Sequence, residues 1–323
     1  MGRCLSGFHS GFSSAVRMRR FPPDTQTMLF ERQRVLLTLL DALGGQSAPT
    51  DFQKLLFLYT RKQESPSYEF VPYKFGCFSF SSYADKRRLV EKGLLVDSAD
   101  QWKLTDEGRT TIRKRAVNPL VAARFNKDHA ELRGNELVAE VYRKYPYYAT
   151  RSEIVEKVLK GKAERENVAK ARPAKATAGL LTIGYEGKCL ETYLNQLLQA
   201  GVTILCDVRR NPLSRKYGFS KSTLRTACES LGIRYEHLPE LGIPSEERRE
   251  LKTQADYDAL FDDYERDSLP LQTEALATIR LWIKDGESVA LTCFELHPHQ
   301  CHRHCVAEAL EAGRGNRLKA THL

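Results

Sequence analysis

Two short stretches of the chain end an apolar run in groups able to do chemistry. Thr203-Ile204-Leu205-Cys206-Asp207-Val208-Arg209 is the first. Ser288-Val289-Ala290-Leu291-Thr292-Cys293-Phe294-Glu295, followed by His297, His299 and Cys301-His302-Arg303, is the second. Consecutive β-branched and apolar residues read as strands covered on both faces, the kind found in parallel sheets. In open α/β sheets the ligand lies beyond the carboxyl ends of the strands. Asp207, Arg209, Glu295, His302 and Arg303 therefore stand where a reaction would be run. If the two strands are neighbours, Asp207 and Glu295 face one pocket. Such a pair divides acid and base roles, or one member activates water beside an oxocarbenium-like centre. The competing reading makes Asp207 a buried salt-bridge partner of Arg209 or Arg303. His302 suits orientation or proton transfer.

The loop after the first of these strands gathers Arg209, Arg210, Arg215, Lys216 and Lys221, a set suited to phosphate. Asn211 and Ser214 are further ligand contacts, and Ser220 is expected to cap a helix. Gly184 and Gly187 flank Tyr185-Glu186 after another apolar run, a turn that lets backbone approach a ligand. Tyr185 and Phe219 would stack on an extruded nucleotide. Cys293, His297, His299, Cys301, His302, His304 and Cys305 raise a zinc reading, but spacing weighs against it. No Cys-x-x-Cys occurs, and Cys301 and His302 are adjacent, so they are not expected to reach one ion, though Cys301 with His304 or Cys305 could on a helix. The expectation is no metal and no cofactor, with a Cys-His nucleophile as a lesser alternative.

The 323 residues suffice for two cores. No apolar run approaches the ~20 residues of a membrane span. The first twenty residues hold four arginines and broken apolar stretches, which predicts a disordered start over 1–28 rather than a signal peptide. The eight cysteines are irregularly spaced, so a reducing cytoplasm is expected. A net charge of +9 attracts polyanions. It is concentrated: residues 157–175 carry seven Lys/Arg against two Glu.

Helical periodicity appears over 31–43, from 50 or 51 onward, and from 81 or 82 to 92, where Lys86, Arg87 and Arg88 make a basic face for nucleic acid. A hairpin follows over 93–105. Further helices are expected at 135–143 and at 152–159 with Ser152 as cap. Tyr145, Tyr147 and Tyr148 read as base-stacking or inter-domain packing, and 161–179 as a linker. The rest alternates: strands at 179–185, 202–208, 233–238 and 289–293, with helices at 190–198, from 220, at 256–266, at 271–284 and from 301. That alternation implies βαβ crossovers and a mostly parallel sheet.

Asp51-Phe52-Gln53-Lys54-Leu55-Leu56-Phe57-Leu58-Tyr59, Tyr73-Lys74-Phe75-Gly76-Cys77-Phe78 and Leu104-Thr105-Asp106-Glu107-Gly108 resemble winged helix-turn-helix modules, and more loosely the antitoxin-type Panacea domain. Thr182-Ile183-Gly184-Tyr185-Glu186-Gly187, Asp207-Val208-Arg209, Asn211-Pro212, Ser214-Arg215-Lys216 and Gly218-Phe219-Ser220-Lys221 follow a second pattern in order. So do Gly232-Ile233-Arg234-Tyr235, Leu238-Pro239-Glu240-Leu241-Gly242, Cys293-Phe294-Glu295 and Cys301-His302-Arg303. They identify the C-terminal half as resembling a prokaryotic family, domain of unknown function four-eight-eight. The resemblance implies a fold and a site, and a bacterial setting of phage defence or DNA repair.

The expected architecture is a winged-helix α+β reader (29–116), a basic helical linker (117–178) and a doubly wound α/β catalytic domain (179–323). The expected function is a DNA-acting hydrolase that cleaves the N-glycosidic bond of a base. A non-enzymatic DNA-binding regulator and a nuclease are the alternatives.

Overall fold

The computed structural model describes residues 28–174, 177–244, 246–247, 251–312 and 318–323. Apart from Met28, the expected disordered start lies outside them. The first half runs α1 (Glu31–Ala42), β1 (Gln46–Ser47), α2 (Pro49–Thr60), β2 (Val71–Tyr73), β3 (Gly76–Phe78), α3 (Phe80–Glu91), β4 (Trp102–Lys103) and α4 (Asp106–Arg115). It continues with α5 (Pro119–Asp128), α6 (Gly134–Lys144), α7 (Val155–Val158) and α8 (Lys162–Lys170). The apolar faces of α1 and α2 meet in one core through Leu36, Leu39, Leu40, Phe52, Leu55 and Leu56. β1 pairs with β4, and Leu95 bridges Leu104. The β2–β3 hairpin is inserted between α2 and α3.

Residues 117–170 differ from expectation. Instead of linking two bodies, they pack into the first core through Ala122, Phe125, Leu137, Val141, Tyr142 and Val168. Ser152 does not begin a helix; its hydroxyl accepts from Tyr142 and from the amide of Ile154, and α7 starts three residues later. The tyrosines are packing groups. Tyr145 and Tyr148 meet Phe57 edge-on, and Tyr147 donates to Asn195 in the second half.

The second half comprises β5 (Gly179–Gly184), α9 (Leu190–Gln199), β6 (Ile204–Asp207), α10 (Lys221–Ser230), β7 (Arg234–His237), α11 (Gln254–Asp263), α12 (Thr273–Lys284), β8 (Ser288–Cys293), α13 (Arg303–Glu311) and β9 (Thr321–His322). Its strands form one parallel sheet in the order β7-β6-β8-β5-β9. Every residue of β6 and β8 is buried, as two-sided cover requires. Helices α9 and α10 cover one face with Tyr193, Leu194, Leu197, Leu224 and Ala227. α11, α12 and α13 cover the other with Phe261, Leu276, Ile279, Val306 and Leu310. The domain is doubly wound. Leaving β5 and β6 the chain passes to the first face, and leaving β8, which lies between them, it passes to the second. That reversal opens a crevice at the carboxyl end of β8.

The halves are joined by polar contacts as well as apolar ones. Glu191, at the start of α9, is fully buried and accepts from the Ser81 amide at 2.7 Å, the Ser81 hydroxyl at 2.9 Å and the Ser79 hydroxyl at 3.1 Å. Burial raises its pKa while these donors hold it down. Asn195 donates to the carbonyl of Phe70 at 2.7 Å, and Tyr217 to that of Phe80 at 3.1 Å.

Candidate active site

A pocket of about 340 Å³ lies at the crevice, lined by Tyr185, Arg209, Arg210, Asn211, Ser214, Arg215, Cys293 and Phe294 among others. β5 leads to Tyr185, β6 leads to the arginines, and β8 ends at Cys293. A larger cleft of about 570 Å³ opens at the opposite end of the sheet, between the halves, where Val202, Thr203 and Ile233 lead into their strands. The smaller pocket is the better site, because the carboxyl ends of the strands and the convergent basic groups are there.

Asp207 and Glu295 have different surroundings. Asp207 sits opposite Thr292 of β8 and His237 of β7 and is fully buried. Its two oxygens accept from Arg209 Nε at 2.8 Å and Nη2 at 2.5 Å, and Tyr235 donates a third hydrogen bond at 2.5 Å. Burial works against the charge of Arg209, but the hydrogen bonds and charge of Asp207 outweigh it, and the guanidinium pKa is raised. Burial, then Asp207, likewise raises that of the Tyr235 hydroxyl. Asp207 thus acts on the pocket through Arg209. The remaining guanidinium nitrogen donates to the Tyr185 hydroxyl at 2.9 Å and the Phe219 carbonyl at 2.8 Å.

Tyr185 and Phe219 stack on each other with centroids 4.3 Å apart and planes 8° from parallel, and both are buried. Tyr185 lines the pocket with Phe219 stacked behind it, so the two do not sandwich a base. Phe294, which the sequence reading passed over, is 43% exposed and meets Tyr185 edge-on. It is the open aromatic face. Ser214 and Ser220 are bound to each other, and the Ser220 side chain caps no helix amide. Gly184 is approached by protein, since a Cβ there would collide with the carbonyl of Glu295. Glu186, exposed, accepts from the amide of Leu296 and fastens the same two loops together.

Glu295 is half-buried, and the Cys293 thiol donates to its carboxylate at 3.4 Å. His302 is buried, with Nε2 3.0 Å from the Val208 carbonyl and Nδ1 3.8 Å from Cys293 Sγ. Arg303, also buried, donates to the carbonyls of Glu295 and Leu296 at 2.5 and 2.9 Å. Arg303 therefore sets the loop that carries Glu295, where a phosphate contact was expected. His237 went unnoticed in the sequence. Its Nε2 meets the Arg209 carbonyl at 2.9 Å and its Nδ1 meets Lys221 Nζ at 2.8 Å. Lys221 is thereby tied to the scaffold. Lys216 reaches the Tyr185 carbonyl and lies over Phe219, and burial lowers its pKa.

On α3 the expected basic trio separates. Lys86 is buried, donates to the carbonyls of Ser98 and Gln101, and lies over Trp102. It is a structural lysine, its ammonium committed to two carbonyls. Arg87 and Arg88 are exposed. Both act on the Tyr217 hydroxyl, whose pKa burial raises and Arg87 pulls back. Tyr217 belongs to the loop that rims the pocket, so the basic face of α3 abuts it.

The sheet and the site define an α/β domain with a ligand crevice at its strand ends. Residues 189–310 match the family model described as Domain of unknown function DUF488. The matched stretch begins just past the Thr182–Gly187 motif. No curated protein and no solved structure matches the chain.

Proposed function

We propose that the chain binds DNA, takes one nucleotide into the crevice pocket and hydrolyses its N-glycosidic bond. The observation that carries the reading is the continuity of charge and pocket. Exposed Arg87 and Arg88 meet the rim at Tyr217, and the rim itself bears exposed Arg210 and Arg215. A backbone laid along these four groups would bring a nucleotide over Phe294, where a base stacks. Glu295 then takes a proton from water, and the water oxygen bonds to C1′. The C1′–N bond breaks, its electron pair leaves with the base, and the base takes up the proton. Arg209, held by Asp207, fixes the wall against which the nucleotide rests. The setting is a bacterial cytoplasm; no disulfide joins the described cysteines, and no described helix is long and apolar enough to cross a membrane.

The direct test is incubation with unmodified and hypermodified duplexes, followed by alkali. Strand breaks that appear only after alkali mark abasic sites and are the expected result. Breaks without alkali would replace the reading with a nuclease. No breaks on any duplex, with binding intact, would replace it with a regulator.

Binding itself should be steeply salt-dependent. Replacing Arg87 and Arg88 with alanine removes two phosphate contacts, so the slope of log affinity against log salt should fall by about 1.8. Lys86→Ala should instead lower the melting temperature and leave the slope alone. An unchanged slope in the double variant would move the contact surface off α3.

A further inference from the structure

The chain beyond β8 folds back so that three side chains able to hold a metal ion meet under the pocket. The ligand atoms of Cys293, Cys301 and His302 all lie within 4.8 Å of one another. The three residues are 0, 0 and 1% exposed. Adjacency of Cys301 and His302 argued against a shared ion, but the backbone changes between them. Cys301 is extended (φ −147°, ψ 127°) and His302 is helical (φ −52°, ψ −15°), which brings both side chains to one point.

The imidazole is oriented as a ligand. Its Nε2 lies 3.0 Å from the Val208 carbonyl, and a carbonyl only accepts, so Nε2 carries the hydrogen. In the neutral ring Nδ1 then presents its lone pair, on the side of Cys293 Sγ at 3.8 Å. Metal-bound histidines are held in this manner, with the second ring nitrogen donating to a backbone carbonyl. Zinc–sulfur and zinc–nitrogen lengths of about 2.3 and 2.0–2.1 Å give tetrahedral edges of about 3.5–3.8 Å, close to the separation here. Two thiols and an imidazole are a donor set that selects zinc over hard cations.

We propose that Cys293 Sγ, Cys301 Sγ and His302 Nδ1 bind one zinc ion. The charges balance. Two thiolates cancel the charge of the ion. Three protein ligands leave a fourth corner, the arrangement of catalytic rather than structural zinc. Cys293 lines the pocket, and the Glu295 carboxylate lies 3.4 Å from its Sγ, so an ion held by Cys293 would stand near both. Zinc there would deliver the attacking water and Glu295 would take its proton. That use of the ion rests on the proposed hydrolysis; the site does not.

The experiment is metal analysis of the full chain, with cobalt exchange followed by absorption spectroscopy, neither of which needs activity. The expected result is close to one zinc per chain and a thiolate-to-cobalt charge-transfer band. Cys301→Ser and His302→Gln should each lower the zinc content at least about fivefold, whereas Cys305→Ser and Glu295→Gln should retain it. If Cys301→Ser does not fold, the cobalt spectrum of the unaltered chain decides. Absence of zinc together with absence of the band after cobalt loading overturns the site. So does the mass of a Cys293–Cys301 disulfide in the protein as purified. Zinc that survives Cys301→Ser but is lost in Cys305→Ser also overturns it, assigning the ion to the neighbouring Glu265, His304 and Cys305 group.

Discussion

Asp207→Asn is expected to lower the melting temperature by roughly 5–15 °C, a loss of ~3–5 kcal/mol in a chain of this size. The side chain of Asp207 is 0% exposed and that of its partner Arg209 only 6%. The amide keeps the volume but withdraws the charge that compensates a buried guanidinium. The amide nitrogen must also turn its hydrogens either toward Arg209 Nε and the Arg209 amide, which donate to Oδ1, or toward Arg209 Nη2 and the Tyr235 hydroxyl, which donate to Oδ2. The damage reaches the pocket wall, because Arg209 also holds Tyr185 and the Phe219 carbonyl. Tyr235→Phe makes the comparison, since it removes a single hydrogen bond to the same carboxylate and should cost about 1–3 kcal/mol. A thermal scan of the three proteins checks the order. An Asp207→Asn melting point within 2 °C or so of the unaltered chain would sink the scaffold role and return Asp207 to the chemistry.

Glu295→Gln should have the opposite signature. Turnover on the duplex that gives abasic sites should fall about 10²–10⁴-fold, as loss of a general acid–base group does. That corresponds to ~3–5 kcal/mol of barrier. Melting temperature and DNA affinity should hardly move. The loop is set by Arg303 through backbone carbonyls that the substitution leaves in place. Single-turnover rates beside binding isotherms separate a transition-state loss from a binding loss. Turnover within threefold or so of the unaltered chain would remove Glu295 from the reaction.

The sheet was legible because parallel strands announce themselves as short apolar runs, and the helices between them as stripes at helical spacing. The edge strand β9 was not, since Thr321 and His322 are exposed and carry no apolar pattern. At the site, residue types at strand ends located Asp207, Arg209, Glu295, His302 and Arg303 in one region. Their partners were illegible, because pairing depends on side-chain direction rather than order in the chain. Lys86 and Lys221 show the limit in charge: a lysine reads as a phosphate contact until the carbonyl or imidazole that already occupies it is seen. Cys301 and His302 show it in geometry. Adjacent residues diverge within a strand, and no pattern in the letters marks the change of backbone between them. Residues 117–170 show it in composition, since a basic surface concealed apolar positions spaced to pack.

The buried carboxylate of Glu191, gripped by three donors from Ser79 and Ser81 just ahead of and within α3, has a metric meaning. With Asn195 and Tyr217 fastened to backbone on the same side, the basic helix and the pocket sit on one frame. On a duplex gripped by Arg87 and Arg88, the nucleotide presented to the pocket would lie a set number of base steps from the grip. The chain would work as a ruler, its unit the rise of the double helix and its zero mark the first turn of α9.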